Sequence, residues 1–258
     1  MANYWQNQNV DPEVLGFVGQ LTVGLAVTDE DRRACQALLA IHRAAPRLGA
    51  RRCVAQFASV GVTENEHHDY LAVWDNLRDR VVAAADLIPA RHTYAPSAFE
   101  LGAHFELRPL VDAYRNVAME LSHIVVDPSY RADGNALQLL LKGIAASMDL
   151  NGIDRVITSV AVTRKLGDSY LFSLLDTVRR ANDGREMLPL RPWLRLPSGD
   201  DIVLSACRMP SVLKYLMRIS AYVHPEPAWD ALNNSVVFAV VIDRKRVNRD
   251  AWKQLLRV

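Results

Sequence analysis

The residues best suited to chemistry lie at one turn, Arg131-Ala-Asp-Gly-Asn-Ala136, which follows an apolar run and precedes a helical pattern. Arg131 supplies a positive charge, and Gly134 has no Cβ, so an anion could approach the backbone closely. A helix that begins here points several backbone N–H groups at one place, and such an arrangement binds phosphate groups. The turn therefore predicts a site for a diphosphate.

Glu120 and three tyrosines are candidate acid–base groups. Glu120 could act as a general base, directly or through a water molecule. The alternative is a structural carboxylate that pairs with an arginine, and both interpretations stay open. Tyr130, Tyr215 and Tyr222 are candidate acids for a leaving group, although tyrosines among apolar residues are often simply packed.

Three further features suggest chemistry less directly. His123 alternates with Glu120 along a predicted strand, so the two should face opposite sides, which favours a core or rim histidine over a catalytic one. The adjacent pair His67-His68 is flanked by acids, but neighbouring histidines point apart, which favours a solvated turn over a metal site. Cys207 has no neighbouring His or Asp to activate it as a nucleophile.

The elements that must position these groups form a strand–helix–strand unit. Residues 121–126 form a short β-branched run that Asp127-Pro128 ends, and residues 155–162 form a second run. Between them a helix extends to Leu150, with one predicted apolar stripe of Leu137, Leu141, Ile144 and Met148. We expect this unit to form the centre of the fold.

Other predicted elements surround this unit. Residues 20–28 and 80–89 read as strands, and a capping box at residues 28–31 opens a helix whose inner side would carry Leu38, Leu39 and Ile41. A Phe-rich loop and short helix occupy residues 99–110. Further along we expect a helix from residue 164, a loop over 185–201, a helix running into a strand over 209–223, a strand over 236–243 and a closing helix over 248–258.

Several of these motifs resemble those of the GCN5-related N-acyltransferase (GNAT) superfamily. Arg131, Gly134 and Ala136 match its Arg/Gln-x-x-Gly-x-Gly/Ala signature. The surrounding Glu-Leu-Ser-x-Ile-Val-Val-x-Pro-x-Tyr-Arg resembles the branch that contains N-acyl amino acid synthases and the ornithine-lipid and hemolysin-like acyltransferases. The resemblance covers about residues 80–243. Three positions depart from the pattern, namely Asp86, His123 and Asn135.

The resemblance implies an α/β fold with a GNAT-like mixed, splayed central sheet flanked by helices. It implies that the pantetheine arm of a donor pairs with the backbone of Val125 and Val126, and that N–H groups near Ile124 hold the thioester oxygen. The diphosphate would lie against Arg131, Gly134, Asn135 and Ala136. Glu120 would be the general base and Tyr130 the acid. The co-substrate would be acyl-CoA or an acyl carrier protein thioester, without a metal.

The expected function is N-acyltransfer of a medium or long acyl chain to a small amine such as an amino acid. A short-chain acetyl-CoA-dependent enzyme and a catalytically lapsed GNAT-fold binding module stay open as alternatives. The acceptor, the chain length, the choice between CoA and carrier protein, and the oligomeric state are not specified by the sequence.

Composition sets the remaining expectations. The chain has 258 residues, which suits a flexible arm over residues 1–19 and one domain over 20–258. A net charge of +1 gives no general attraction to nucleic acid. Three scattered cysteines predict a reducing compartment, and no apolar run approaches the roughly 20 residues of a membrane span. We therefore expect a cytoplasmic protein.

Overall fold

The computed structural model describes residues 14–44, 68–90, 99–114, 118–132, 134–197, 207, 209–219, 221–248 and 250. The helices are α1 (Asp29–Ala44), α2 (Arg108–Tyr114), α3 (Asn135–Leu150), α4 (Asp168–Ala181) and α5 (Ser211–Arg218). The strands are β1 (Gly16–Val18), β2 (Leu21–Leu25), β3 (Asp69–Asp75), β4 (Arg80–Pro89), β5 (Phe105–Glu106), β6 (Ala118–Val126), β7 (Arg155–Thr163), β8 (Arg191–Pro192), β9 (Tyr222–Val223), β10 (Ala228–Asp230) and β11 (Ser235–Asp243).

One mixed sheet organises these elements, in the order β1-β2-β3-β4-β6-β7-β11-β10 with β9 also paired to β11. Every pair in it is antiparallel except β6 with β7, which are parallel and joined through α3. A parallel pair needs such a crossover connection because the chain must return to the same end of the sheet. The predicted mixed α/β architecture is therefore confirmed.

The sheet splays open between β6 and β7. Their parallel pairing extends from Ala118 with Arg155 only as far as Leu121 with Thr158, although β6 continues to Val126 and β7 to Thr163. At the last pair the Thr158 hydroxyl donates to the carbonyl oxygen of Leu121, over 2.7 Å. The second half of β6 is consequently paired on its β4 side and leaves the β7 ladder.

The back of the sheet is covered by α3, α4 and α5, which together bury the largest apolar cluster. The stripe predicted on α3 is partly wrong, because Leu137 is exposed while Leu139 and Leu140 are buried. Gly143 explains the orientation of α3: a Cβ there would lie 2.6 Å from Val23 and 2.7 Å from Leu71, so a residue without a side chain lets the helix approach β2 and β3.

The front of the sheet carries two smaller clusters. We call the first the α1 cluster, in which Cys35 and Leu39 of α1 pack on β3, β4 and β6. The Thr28 hydroxyl accepts from the Asp31 amide, which confirms the capping box that opens α1. The prediction for Ile41 is wrong, since that side chain is 69% exposed.

The second, which we call the front apolar cluster, lies where the segment from Phe99 to Val111 covers β4, β6, β7 and β11. Its largest side chains include Phe99, Leu101 and Phe105, all fully buried. A one-turn 3-10 helix over Glu100–Ala103 begins this segment. The short helix predicted within residues 99–110 is α2, which begins at Arg108.

Three predicted strands and part of the predicted N-terminal arm can be compared with the structure. The strands predicted at residues 80–89, 155–162 and 236–243 are confirmed as β4, β7 and β11. The flexible arm predicted over residues 1–19 is too long, because Gly16–Val18 forms β1 and pairs with β2. Residues 1–13 and most of the predicted closing helix, residues 251–258, lie outside the described residues.

Candidate functional site

A β-bulge in β6 decides which side chains meet on the front of the sheet. Asp86 of β4 pairs with His123 and the next residue, Leu87, pairs with Leu121, so Ser122 is an extra residue in β6. One extra residue shifts the alternation of side chains by one position. Glu120 and His123 therefore both face the front, and the prediction that they face opposite sides is wrong.

Glu120 is buried beneath the 3-10 helix at Glu100–Ala103. Its Oε2 accepts from the backbone N–H of Glu100 at 2.8 Å, and its Oε1 accepts from that of Leu101 at 2.7 Å. Burial raises the pKa of Glu120 to about 8, and the Asp86 charge adds to this against the lowering effect of the two amides. The carboxyl group thus holds the start of the 3-10 helix, as an N-cap residue would.

A cluster of histidines and carboxylates, formed by His68, Asp86, Glu100 and His123, lies beside Glu120. His68 Nδ1 is 2.8 Å from Asp86 Oδ1. His123 Nδ1 is 2.9 Å from the Ser122 hydroxyl, 3.2 Å from Glu100 Oε1 and 3.8 Å from Asp86 Oδ2. We call these four residues the histidine–carboxylate cluster.

The cluster sits at the boundary between protein interior and solvent. The side chains of Asp86 and His123 are each 5% exposed, whereas those of His68 and Glu100 are 12% and 14% exposed. Burial by itself raises the pKa of Asp86, but the contacts with His123 and His68 outweigh it and hold that pKa well below its usual range. Asp86 is therefore an anion that the two histidines stabilise.

Residue types and spacing alone do not predict this cluster. The prediction of a solvated turn is wrong for His68, whose ring is mostly buried and pairs with Asp86. In the sequence, Asp86 is only a departure from the pattern of the GNAT superfamily. The sequence does show acidic residues and histidines in or next to neighbouring strands. To predict that they pair, one also needs the register of β3, β4 and β6, which a single sequence does not supply.

The open edge of β6 presents backbone groups of Ile124 and Val126. The Asp127 amide donates to Val82 of β4, and backbone groups alternate between the two edges of a strand. Ile124 and Val126 thus direct their N–H and C=O groups away from β4, while Val125 directs its groups toward β4. Among the three residues predicted to contact the donor through their backbone, Ile124 and Val126 point these groups into the splay, and Val125 does not.

The predicted anion turn lies at the end of this open edge. Arg131 is an exposed residue whose Nε donates to the Val126 carbonyl oxygen at 2.9 Å, which ties its guanidinium group to the splay. Gly134 has a φ of 73°, and a Cβ there would meet nothing within 4 Å. Glycine is favoured at this position by its left-handed backbone rather than by a close contact.

Helix α3 begins immediately after Gly134, at Asn135. The Gly134 carbonyl accepts from the Gln138 amide, so the first turn is regular, and Gly134 provides no side-chain cap. The amides in the first turn of an α-helix receive no acceptor from the helix itself, and the buried Ala136 lies in this turn. The turn thereby combines a cation, helix amides and a strand edge in one place.

Tyr130 lies on the other side of that turn and anchors it. Its hydroxyl donates to Asp75 Oδ2 at 2.6 Å and accepts from Arg78 at 2.8 Å. The hydrogen bond from Tyr130 is the main reason that the pKa of Asp75 is lowered to about 2. Because the Tyr130 hydroxyl already donates its hydrogen bond to Asp75, this geometry favours a structural role for Tyr130 over a role as proton donor in a reaction. The structure does not bring Tyr130 near Glu120.

Tyr222 packs against the front apolar cluster, and Tyr215 packs against the back cluster. Burial raises the pKa of Tyr215 to about 12 and also raises that of Tyr222. Cys207 packs against the back cluster. His67 is outside the described residues, among which no group of three or more His, Cys, Asp or Glu side chains could hold a metal ion. None of the described helices has the length and apolar character needed to cross a membrane.

Comparison with known proteins adds no assignment of family. No family model matches the chain, and no curated protein sequence matches it. Among solved structures, a CoA-dependent acyl-homoserine lactone synthase, MesI, is 16% identical with a TM-score of 0.43, over 90% of this chain and 92% of its own. An aminoglycoside 6'-N-acetyltransferase complexed with coenzyme A is 10% identical with a TM-score of 0.45, over 84% of this chain and 92% of its own. A nourseothricin acetyltransferase is 10% identical with a TM-score of 0.36, over 87% of this chain and 99% of its own. At this level of similarity the function has to be argued from the geometry of the chain itself.

Proposed function

We propose that this protein is an N-acyltransferase, which moves an acyl group from a phosphopantetheine thioester to the amine of a small molecule. The observation that carries the proposal is the splay between β6 and β7, which opens a strand edge directly beside the first turn of α3. A strand edge pairs with an extended amide-containing chain, and helix amides with a cation bind phosphate. A pantetheine diphosphate carries both ligand groups, because its extended chain of amides continues into its phosphates.

The donor would lie along the splay from the turn toward the fork at Leu121. Its diphosphate would bind to Arg131 and the amides after Gly134. The pantetheine amides would pair with the gap-facing groups of Val126 and Ile124. The thioester would then reach the fork, next to the bulge at Ser122, and its oxygen would accept a hydrogen bond from one of these strand amides.

The front apolar cluster supports a medium or long acyl chain. It lies beside Glu120, on the far side of the fork from the diphosphate turn. An acyl group that passes the fork would meet apolar side chains there. Acyl-CoA and an acyl carrier protein both supply the same arm, and an amino acid is one small-amine acceptor that the proposal includes. A short-chain acetyl donor is the alternative that a chain-length series separates.

A catalytically lapsed binding module is a second candidate, and one observation favours it. Both residues first expected to act as acid and base are committed elsewhere, Glu120 to two backbone amides and Tyr130 to Asp75. A module of this kind would bind the donor in the splay and transfer nothing. Donor binding without acyl transfer to any amine is its signature.

The first test measures thermal stability with CoA, acyl-CoA of increasing chain length and an acyl carrier protein. A donor at about 100 times its dissociation constant should add roughly 2.7 kcal/mol, or about 2 to 4 °C for a chain of this size. The stabilisation should disappear in Arg131→Glu and be reduced in Arg131→Gln, which keeps N–H donors for the Val126 carbonyl.

The matched control is Lys214→Glu, which makes the same kind of charge reversal at an exposed residue of α5. It should keep the full stabilisation by the donor. A shift that grows with chain length supports the long-chain proposal, whereas equal shifts for acetyl-CoA and long-chain CoA favour the short-chain alternative. No stabilisation by any thioester would contradict the proposed function.

A further inference from the structure

His123 lies where an acyltransferase needs a proton acceptor. It is the second residue after Leu121, where the ladder to β7 ends, and the next residue, Ile124, directs its N–H into the splay. The bulge at Ser122 turns the His123 side chain to the front of the sheet. An amine that attacks a thioester at the fork from this front side would meet the imidazole.

Three neighbouring oxygen groups favour one tautomer of the His123 ring. The Ser122 hydroxyl, Glu100 and Asp86 all approach the same atom, Nδ1. Carboxylate oxygens are acceptors only, so they favour the tautomer that carries its proton on Nδ1. In that tautomer Nε2 is the basic nitrogen, and the carboxylates stabilise the imidazolium ion that forms when Nε2 takes a proton.

We propose that His123 is the general base of this protein, with Glu100 and Asp86 as the residues that orient its ring. The inference rests on the proposed acyl transfer and replaces Glu120 as the proton acceptor. Glu120 instead positions Glu100, because its carboxyl group holds the backbone amide of that residue.

A protonated amine gives one proton to His123 Nε2, and its nitrogen attacks the thioester carbon. A C–N bond forms, the C–S bond breaks, and the sulfur leaves as a thiolate. The second proton on nitrogen passes to the thiolate, which leaves as a thiol. The first proton passes from His123 to solvent through the histidine–carboxylate cluster. Glu100 and His68 are the more exposed members of that cluster.

The titratable groups around His123 agree with an amine that arrives as an ammonium ion. Asp86 comes from β4, Glu100 from the 3-10 helix, Glu120 from β6 and His68 from the residue before β3. Burial raises the pKa of the Cys35 thiol on α1 to about 12, and the charges of Asp31 and Asp86 add to this rise. Carboxylates that surround a proton acceptor favour an incoming ammonium group.

The test compares two amine probes of different basicity, each with a long-chain acyl-CoA, by following release of the CoA thiol. Ethylamine is protonated at neutral pH and must lose a proton before attack, whereas hydroxylamine is mostly unprotonated. His123→Gln should lower the rate with ethylamine by about 100-fold, as for loss of a general base. It should change the rate with hydroxylamine by less than about 5-fold, since that probe needs no base before attack.

Donor-induced thermal stabilisation shows for each variant that the fold and the donor site are intact. His104→Gln is the matched control, because that histidine is a half-buried residue near the front apolar cluster and outside the histidine–carboxylate cluster. It should alter neither rate. Glu100→Gln keeps the His123 ring and should lower the ethylamine rate less than His123→Gln does.

The outcomes separate the two proposals. Equal losses with both probes in His123→Gln, or no loss with either, would overturn the assignment of the base and leave the donor site standing. A wild-type protein that binds no thioester would overturn the proposed function and the base assignment with it. Binding of the donor without transfer to either amine would establish the binding module and likewise overturn the base.

Discussion

A buried carboxyl group lies at each half of β6, and the two groups have different partners. In the first half, Ala118 to Leu121, the strand is paired on both sides, and Glu120 meets only backbone amides there. In the second half the strand is paired on one side, and Asp86 meets two histidines beside it. Both carboxyl groups are buried, yet the pKa is raised for Glu120 and lowered for Asp86. The partner of a buried carboxyl group therefore decides its ionisation, since burial is common to both.

The largest effect should come from the second half. Asp86→Asn removes the anion that His68 and His123 share, and breaking a buried ionic contact costs about 3 kcal/mol. Urea unfolding measures the loss. Asp112→Asn is the control, because Asp112 forms an exposed i,i+4 pair with Arg108 at 3.8 Å and should change stability by less than about 0.5 kcal/mol. Equal losses in the two variants would contradict the role of the cluster.

Glu120→Gln should have the next largest effect. In Gln an NH2 group replaces one of the two carboxyl oxygens. This group cannot accept the hydrogen bond from Glu100 or Leu101 that it then faces, so one buried N–H loses its partner. We expect a loss of about 2 kcal/mol in the free energy of unfolding, measured in urea. Glu186→Gln is the control, since that side chain is 82% exposed. A neutral effect at Glu120 would show that the 3-10 helix does not depend on it.

The two carboxyl groups should give opposite pH dependences. The folded-state pKa of Glu120, about 8, is above its ordinary 4.5, so the folded protein holds an extra proton between these values. Stability from this group is complete below about pH 4.5 and falls by roughly 1 kcal/mol per pH unit as pH rises toward 8. Glu120→Gln should remove that decline. The measurement is the difference in unfolding free energy between wild type and variant at each pH.

For Asp86 the sign is reversed. Its folded-state pKa is below the ordinary 3.8, so its contribution is complete above that value and is lost as pH falls below it. The difference between wild type and Asp86→Asn should therefore shrink on acidification below about pH 4. A difference that stays constant on acidification would show that Asp86 is not stabilised as an anion.

The smallest effect should come from the fork between the two halves. Thr158→Val keeps the shape of the side chain but removes the hydroxyl that donates to Leu121, at a cost of about 1 kcal/mol. Thr163→Val in the same strand is the control, because its hydroxyl accepts a longer bond at an exposed position. Donor-induced stabilisation should survive in both variants. Its loss in Thr158→Val alone would show that the fork also shapes the donor site.

The strands and helices near the candidate site were predictable because their patterns are local. The β-branched run at residues 121–126, the glycine turn and the helix to Leu150 each follow from residue type and spacing. The capping box at Thr28 was also correct, since both partners lie within one turn. The apolar stripe of α3 was less accurate because four leucines between residues 137 and 141 fit several helix faces.

The sequence by itself determined the strand–turn–helix–strand unit, the glycine at a left-handed position and the cation beside it. These depend on backbone preferences and on neighbours within a few residues. Only the tertiary structure decided that Glu120 holds a 3-10 helix, that Tyr130 binds Asp75, and that His123 shares the front face with both Glu120 and Asp86. The physical reason is the extra residue Ser122: a bulge exists only between paired strands, and it reverses the facing of every side chain after it.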